Sequence, residues 1–226
     1  LGRTTYFAVV SILLEVVLGV LVALLLNQSF RGRGFLRALL LIPWALPVTI
    51  NGVMWRWIFN SSYGAFNGLL LQLGLIDSYQ TWLSDPWLAM NAVVVAEVWK
   101  MTPLVALLLL SGLQTVSRDV TEAAIVDGAG IFRRFFAVII PQLRPILTVV
   151  VIFRTLDAFK VFDIIFVMTR GGPANGTMVL SYYTYLESFR FLRFGSGSAL
   201  AYLITIIVAV LAILYSRFLS REELHQ

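Results

Sequence analysis

Glu122-Ala-Ala-Ile-Val-Asp-Gly128-Ala-Gly130-Ile-Phe-Arg-Arg-Phe-Phe-Ala-Val-Ile-Ile-Pro141 is the polar interruption around which the rest of this 226-residue chain is organised. It begins with helix formers and breaks at Gly128 to Gly130. It then resumes with Ile131, Phe132, Phe135, Phe136 and Ile139 at helical spacing, beside the cationic pair Arg133 and Arg134. The pattern predicts two short helices at an angle, with Ala123 and Ala124 small enough for another protein to approach closely. The apolar face behind Gly130 must dock somewhere. Amphipathicity alone allows a protein cleft or the lipid headgroups, since basic and aromatic residues suit both.

Outward from this stretch the chain is almost wholly apolar. A hydrocarbon layer about 30 Å thick needs about 20 residues of helix, and five runs of that order occur, at about Tyr6–Leu26, Phe35–Phe59, Trp87–Leu113, Ile146–Thr169 and Ser198–Phe218. Helices are expected because lipid cannot satisfy exposed peptide groups. With 59% hydrophobic and 13% charged residues, the composition lies outside the range of soluble domains. The absence of cysteine, and a single histidine at His225, exclude disulfide scaffolds, Cys/His metal sites and Cys- or His-based nucleophiles. The excess of 17 Lys/Arg over 12 Asp/Glu reads as cytoplasmic loops and not as nucleic-acid binding.

The distribution of that charge sets an orientation. Arg31, Arg33 and Arg37, then Arg118, Arg133, Arg134 and Arg144, then Arg217 and Arg221 fall on one side, which is assigned to the cytoplasm. The loop from Asn60 to Pro86 has Asp77 and Asp85 but no Lys or Arg, in agreement; the 170–197 loop, with Arg170, Arg190 and Arg193, fits less well. The amino end is therefore expected outside and the carboxyl end in the cytoplasm. An outside start suggests a preceding span and six in the full protein. The opening run, beginning at Leu1, does not read as a signal peptide. Without a repeat or soluble linker, residues 1–226 read as one transmembrane domain with a cytoplasmic loop at about 114–145.

The order of residues in that loop carries more than its amphipathicity. Glu122-Ala123-Ala124, Gly128 and Val138-Ile139-Ile140-Pro141 match in spacing the pattern Glu-Ala-Ala, three residues, Gly, nine residues, Ile-x-Leu-Pro. The stretch resembles the EAA loop of binding-protein-dependent ABC importer permeases. That resemblance implies an all-α polytopic membrane protein of the type I importer-permease class. In this class the loop sits in a cleft of the ATPase, whose closure on ATP swings the membrane helices by alternating access. Glu122, Ala123, Ala124, Asp127, Gly128, Phe132 and Pro141 are the coupling residues it implies. Glu122 is expected to pair with a basic residue of the ATPase, whereas solvation alone would also account for Asp127.

A second resemblance, to the carbohydrate branch of maltose- and trehalose-type permeases, rests on two segments. One is the Phe-rich run from Phe153 that ends in Thr169-Arg-Gly171-Gly172-Pro173, and the other is Ala96-Glu97-Val-Trp99-Lys100-Met-Thr-Pro103. It implies sugar contacts at Arg154, Asp157, Ala158 and Val161, and at Met101 and Leu104. The residues themselves support a transport path. Arg154, Asp157, Lys160 and Asp163 alternate in sign at spacings of three and can pair along a helix. Ionisable residues at membrane depth face the bundle interior or a wet cavity. Such a ladder, with Glu97 and Lys100, either lines the path or binds this subunit to a partner. Pro43 and Pro47 are expected to break the second span near Asn51 and Trp55, two further path candidates. Trp55 and Trp57 also suit interfacial anchoring, and Glu15, alone in the first span, is expected to pair with another helix.

The expected assembly is this subunit with a second permease, a different chain in a heterodimer, two ATPase subunits binding ATP and Mg, and an extracytoplasmic sugar-binding protein, in the lipid of the bacterial inner membrane. The sequence has no Gly-x-x-x-x-Gly-Lys-Ser/Thr, so ATP binding is assigned to other chains and no cofactor to this one. Gly171-Gly172-Pro173 and Gly195-Ser-Gly197-Ser are expected to be turns. The competing readings are import of glycerol phosphate or another polyol derivative, a membrane enzyme using Asp157 and Asp163, and a passive channel.

Overall fold

The structure is a computed structural model. It describes residues 1–115, 120, 124 and 126–223, the side chains of 216 and 218–223 excepted. Its centre is the packing of α1 (Gly2–Asn27) along α5 (Pro86–Leu113). Thr4, Phe7, Ala8, Ser11, Glu15, Gly19, Ala23 and Leu26 are the buried stripe of α1, spaced three or four apart as one helical face. A Cβ on Gly19 would lie 2.6 Å from Val105 Cγ1, so only glycine allows the two backbones this close. The start of α5 is fixed by Pro86 in its first turn and by Asp85, whose carboxylate accepts from the amides of Trp87 and Leu88, both at 2.9 Å.

The second hydrophobic run is broken. It forms α2 (Arg33–Ala45) and α3 (Val48–Ile58), which meet at 90° across Leu46-Pro47. Pro43 stays inside α2 and Pro47 marks the break. A short helix, α4 (Ala65–Gln72), follows. Beyond the polar loop, α6 (Ile131–Ala158) is one helix of 28 residues. It includes a wide π turn over Phe135–Ile139, just ahead of Pro141. Pro141 and Pro145 withhold the amides that the carbonyls of Ala137 and Pro141 would otherwise receive, which favours such a local adjustment. The chain then makes α7 (Asp163–Met168), α8 (Leu180–Tyr185, running into a π turn over Leu186–Arg190) and α9 (Phe194–Glu223). Four of these helices are long and apolar enough to cross a membrane, or five if the bent α2–α3 pair is one span.

Two apolar clusters divide the interior. One contains Phe7, Phe59, Met90, Val93, Ile164, Ile165 and Tyr182; the other contains Val20, Ala23, Leu26, Val105, Leu109, Leu143 and Val150. Glu15 on α1, Lys100 on α5 and Arg154 on α6 fall in sequence between the two clusters on their own helices, and Glu97 on α5 lies beside Val98 at the edge of the first. Burial falls sharply away from α5. Within the spanning windows, 61% of α5 is buried, against 11% for α6 and 6% for α9. The apolar surface of these two helices is left to lipid or to another subunit.

Several expectations need correction. The segment after Gly130 is not a separate short helix but the first turns of α6, because no helix breaker stands between Ile131 and Ala158 strong enough to outweigh the surrounding hydrogen bonds. The expected run through Thr169 is interrupted at Phe159–Phe162, where neither Gly nor Pro occurs. Gly195-Ser-Gly197-Ser is not a turn but the start of α9, with Gly197 pressed against Ser188. Gly171-Gly172-Pro173 is a turn, with Gly171 at φ +79° and a cis Gly172–Pro173 bond.

Candidate substrate path and coupling surface

Arg154 ties three helices together. Its Nε donates to Glu15 Oε2 at 2.6 Å, and its Nη2 donates to Glu15 Oε1 at 2.9 Å and Glu97 Oε1 at 3.0 Å. Its Nη1 donates to Asp157 one turn on. Glu15 and Arg154 have no exposed surface and Glu97 very little, whereas Asp157 keeps 41% of its side chain exposed. The guanidinium presents a rigid planar fork, which suits two carboxylates at once better than an ammonium would. Glu15 thus finds the helix partner it needs. Of the sign-alternating ladder only its first rung forms. Lys160 pairs with neither Asp157 nor Asp163 among the described residues, because α6 ends at Ala158 and the i,i+3 geometry ends with it.

Lys100 serves a different junction. Its Nζ donates to the carbonyls of Trp44, at 3.1 Å, and Leu46, at 2.5 Å. These carbonyls close the C-terminal end of α2, where no amide follows to satisfy them and a cation is favoured. The lysine therefore clamps the α2–α3 bend to α5.

Between these two junctions lies a cleft of about 170 Å³ lined by Val48, Glu97, Lys100, Met101, Asp157, Lys160, Val161, Phe162, Asp163 and Ile164. Of the path residues expected from sequence it gathers Met101, Asp157, Lys160 and Val161. The break at Phe159–Phe162 makes this possible, since it turns Lys160 and Val161 away from the helix axis of α6. The remaining expected residues lie elsewhere. Arg154 and Ala158 are buried beneath the cleft, and Leu104 is half-buried on α5. Asn51 is fully buried on α3 with neither amide atom hydrogen-bonded. Trp55 stacks on Phe59, centroids 5.3 Å apart, and meets Trp99 edge-on at 5.8 Å, while Trp57 is the exposed member of the pair. Val48, Phe162 and Ile164 complete the lining without having been singled out from sequence. Proximity to Pro47 was a signal for Val48, but an unmarked helix break left none for Phe162.

At the other end, Glu122 and Ala123 lie outside the described residues. Ala124 is half-buried and its carbonyl accepts the Ala129 amide at 2.9 Å. Asp127 and Gly128 are exposed, with Gly128 at φ +72° and open space around it. The apolar face expected as one splits in two. Phe135 and Ile139 pack on the cluster of Leu109 and Leu143, whereas Ile131, Phe132 and Phe136 are 75%, 80% and 65% exposed. Val126 adds to the outward group, and Pro141 is half-buried at the exit of the π turn. Among the described residues no group of His, Cys, Asp and Glu is arranged to hold a metal.

Residues 15–221 match the family described as binding-protein-dependent transport system inner membrane component. The chain belongs to this family. It is a multi-pass protein of the inner membrane and the permease subunit of a binding-protein-dependent ABC importer; permeases of this family do not carry the ATPase activity. The permease is 45% identical over 212 residues to the trehalose/maltose transport system permease protein MalF of Thermococcus litoralis, an alignment covering 94% of this chain and 71% of the relative. It is 38% identical to the trehalose transport system permease protein SugA of Mycobacterium tuberculosis, over 95% of this chain and 67% of that one. It is 39% identical to the sulfoquinovosyl glycerol transport system permease protein SmoG of Agrobacterium fabrum, over 91% and 66%. Its fold matches a subunit of a bacterial alginate ABC transporter solved in complex with an alginate pentasaccharide-bound periplasmic protein. The TM-score is 0.86 at 19% identity, covering 98% of this chain and 77% of the other.

Proposed function

We propose that the permease carries a neutral sugar, a disaccharide of the trehalose or maltose type, through the cleft between α3, α5 and α7. The observation that carries this reading is the composition of the cleft wall. Exposed Asp157 and Lys160 offer an acceptor and a donor for hydroxyls, and Met101, Val161 and Phe162 offer apolar surface for the ring faces. The similarity to trehalose and maltose permeases supports the same class. Buried Arg154 positions Asp157 and does not itself reach the cargo in this conformation. Ala158 lies beneath the cleft, while Asn51, Trp55 and Leu104 lie outside its lining and would join the path only on rearrangement of the helices. Glycerol phosphate or a similar anion is disfavoured, since Glu97, Asp157 and Asp163 outnumber Lys100 and Lys160 around the cleft.

In the same reading, residues 1–226 act as one membrane domain beside a second permease. Of two ATPase subunits, one takes the loop at Glu122–Pro141 in its cleft, and a sugar-binding protein delivers cargo at the opposite face. The amino end lies outside and the carboxyl end in the cytoplasm. The exposed Val126, Ile131, Phe132 and Phe136 next to the Gly128 bend support docking in a protein cleft, because an apolar patch of this kind on a polar loop marks a binding surface. Binding-protein-stimulated ATP hydrolysis by the full complex in lipid, across a panel of disaccharides and glycerol phosphates, tests the cargo. Stimulation by a disaccharide supports the proposal, and a response confined to a phosphate ester overturns it.

A further inference from the structure

The turn between α8 and α9 reads Phe189-Arg190-Phe191-Leu192-Arg193-Phe194, and it is the part of the loop charge that fits poorly with a cytoplasmic bias of cations. Its apolar members are turned outward: Phe189 is 70% exposed and Leu192 67%. The tip is nevertheless built. The Phe191 amide donates to Leu186 O at 2.9 Å and the Arg193 amide to Glu187 O at 2.8 Å. Leu192 is held at φ +56°, a left-handed conformation that costs a leucine about 1 kcal/mol or more. Behind it, Gly197 sits so close to Ser188 that a Cβ would lie 1.9 Å from its hydroxyl oxygen. A strained turn braced in this way presents its side chains in a defined array.

The array is cationic and apolar together. Arg190 forms no ion pair among the described residues. Arg193 lies 5.7 Å above the Phe191 ring and 3.8 Å from buried Glu187, with most of its side chain exposed. Topology says what covers it. Phe194 opens a 22-residue apolar span, so the turn lies at the boundary between hydrocarbon and water. Arg3 and Trp87 stand exposed at the starts of α1 and α5, and Arg56 and Trp57 at the end of α3, while the Leu180 amide donates to Thr4 Oγ1 at 2.9 Å and ties the start of α8 to the start of α1.

We propose that the Phe189–Phe194 turn is a binding site for an anionic phospholipid, with Arg190 and Arg193 on the phosphodiester and Phe189, Phe191 and Leu192 against the upper acyl chains. Guanidinium forks match phosphate oxygens, and aromatic rings favour the headgroup level. A zwitterionic lipid offers the same phosphate beside its own cation, so the two arginines select for net negative charge. The proposal concerns lipid and is independent of which cargo the importer carries.

The test uses the complete complex in nanodiscs of phosphatidylcholine with increasing phosphatidylglycerol. Spin-labelled analogues of each lipid report the motionally restricted fraction. The wild type is expected to prefer phosphatidylglycerol, and R190Q/R193Q to lose about fivefold per arginine of preference at this site, while R190K/R193K retains a part. Assembly and binding-protein-stimulated ATP hydrolysis show that the variants are folded. A photocrosslinker in place of Phe189 is expected to capture phospholipid. An unchanged lipid preference in R190Q/R193Q, or capture of a partner polypeptide in place of lipid, overturns the assignment.

Discussion

Arg154 and Glu15, separated by 139 residues of sequence, face each other with two guanidinium nitrogens on two carboxylate oxygens at 2.6 and 2.9 Å, and neither side chain is exposed. The pair, with Glu97, forms a polar layer between two apolar clusters and fixes the relative height of α1, α5 and α6. An apolar interior tolerates sliding of one helix along another, whereas a bidentate ion pair permits one register.

Arg154→Ala is accordingly expected to be severe. It leaves Glu15 and Glu97 buried without their cation, a situation that costs about 3–5 kcal/mol. Glu15→Gln is expected to be milder, since Arg154 keeps Glu97 and Asp157. Thermal unfolding of the assembled complex checks the order of the two variants; equal midpoints would contradict it.

Gly19→Ala is expected to wedge α1 from α5 and to destabilise by about 1–3 kcal/mol. Adding Val105→Ala removes the methyl that the new Cβ meets at 2.6 Å. The double variant should therefore lose less than the sum of the two single ones. Denaturation of the three variants measures that coupling.

Lys100→Met removes both hydrogen bonds to the Trp44 and Leu46 carbonyls. The α2–α3 bend is expected to loosen, with amide exchange over residues 48–51 rising several-fold and transport falling. Exchange followed by mass spectrometry reads the effect, and unchanged protection would remove the lysine from the bend.

Gly128 adopts a left-handed conformation in open space, so its requirement is backbone freedom and not room. Gly128→Val should uncouple ATP hydrolysis from uptake while the protein still inserts, and Gly128→Asn, which tolerates this conformation, should retain coupling. Full transport by Gly128→Val would defeat the coupling role.

Asp157→Ala should alter uptake or cargo preference without the loss of stability expected of Arg154→Ala, because Asp157 is the exposed member of the network. Uptake kinetics against two or more disaccharides measure this. Identical KM and rate would leave Asp157 with a positioning role alone.

The helical membrane class, the approximate spans and the stretch resembling the coupling loop are legible in the residues alone, because hydrophobic length and the spacing of Gly, Pro and Glu-Ala-Ala are local properties that each segment carries unaided; so is the grouping of Asp157, Lys160 and Met101 in one region. That Arg154 turns inward to Glu15 and Glu97 while Asp157 and Lys160 line a cleft follows from helix packing, since a buried charge takes its partner from whichever helices pack against it. The unheralded break at Phe159–Phe162 and the clamp of Lys100 on the α2 carbonyls have the same origin. Both satisfy backbone and side-chain groups across elements far apart in sequence, and no local pattern encodes such distances.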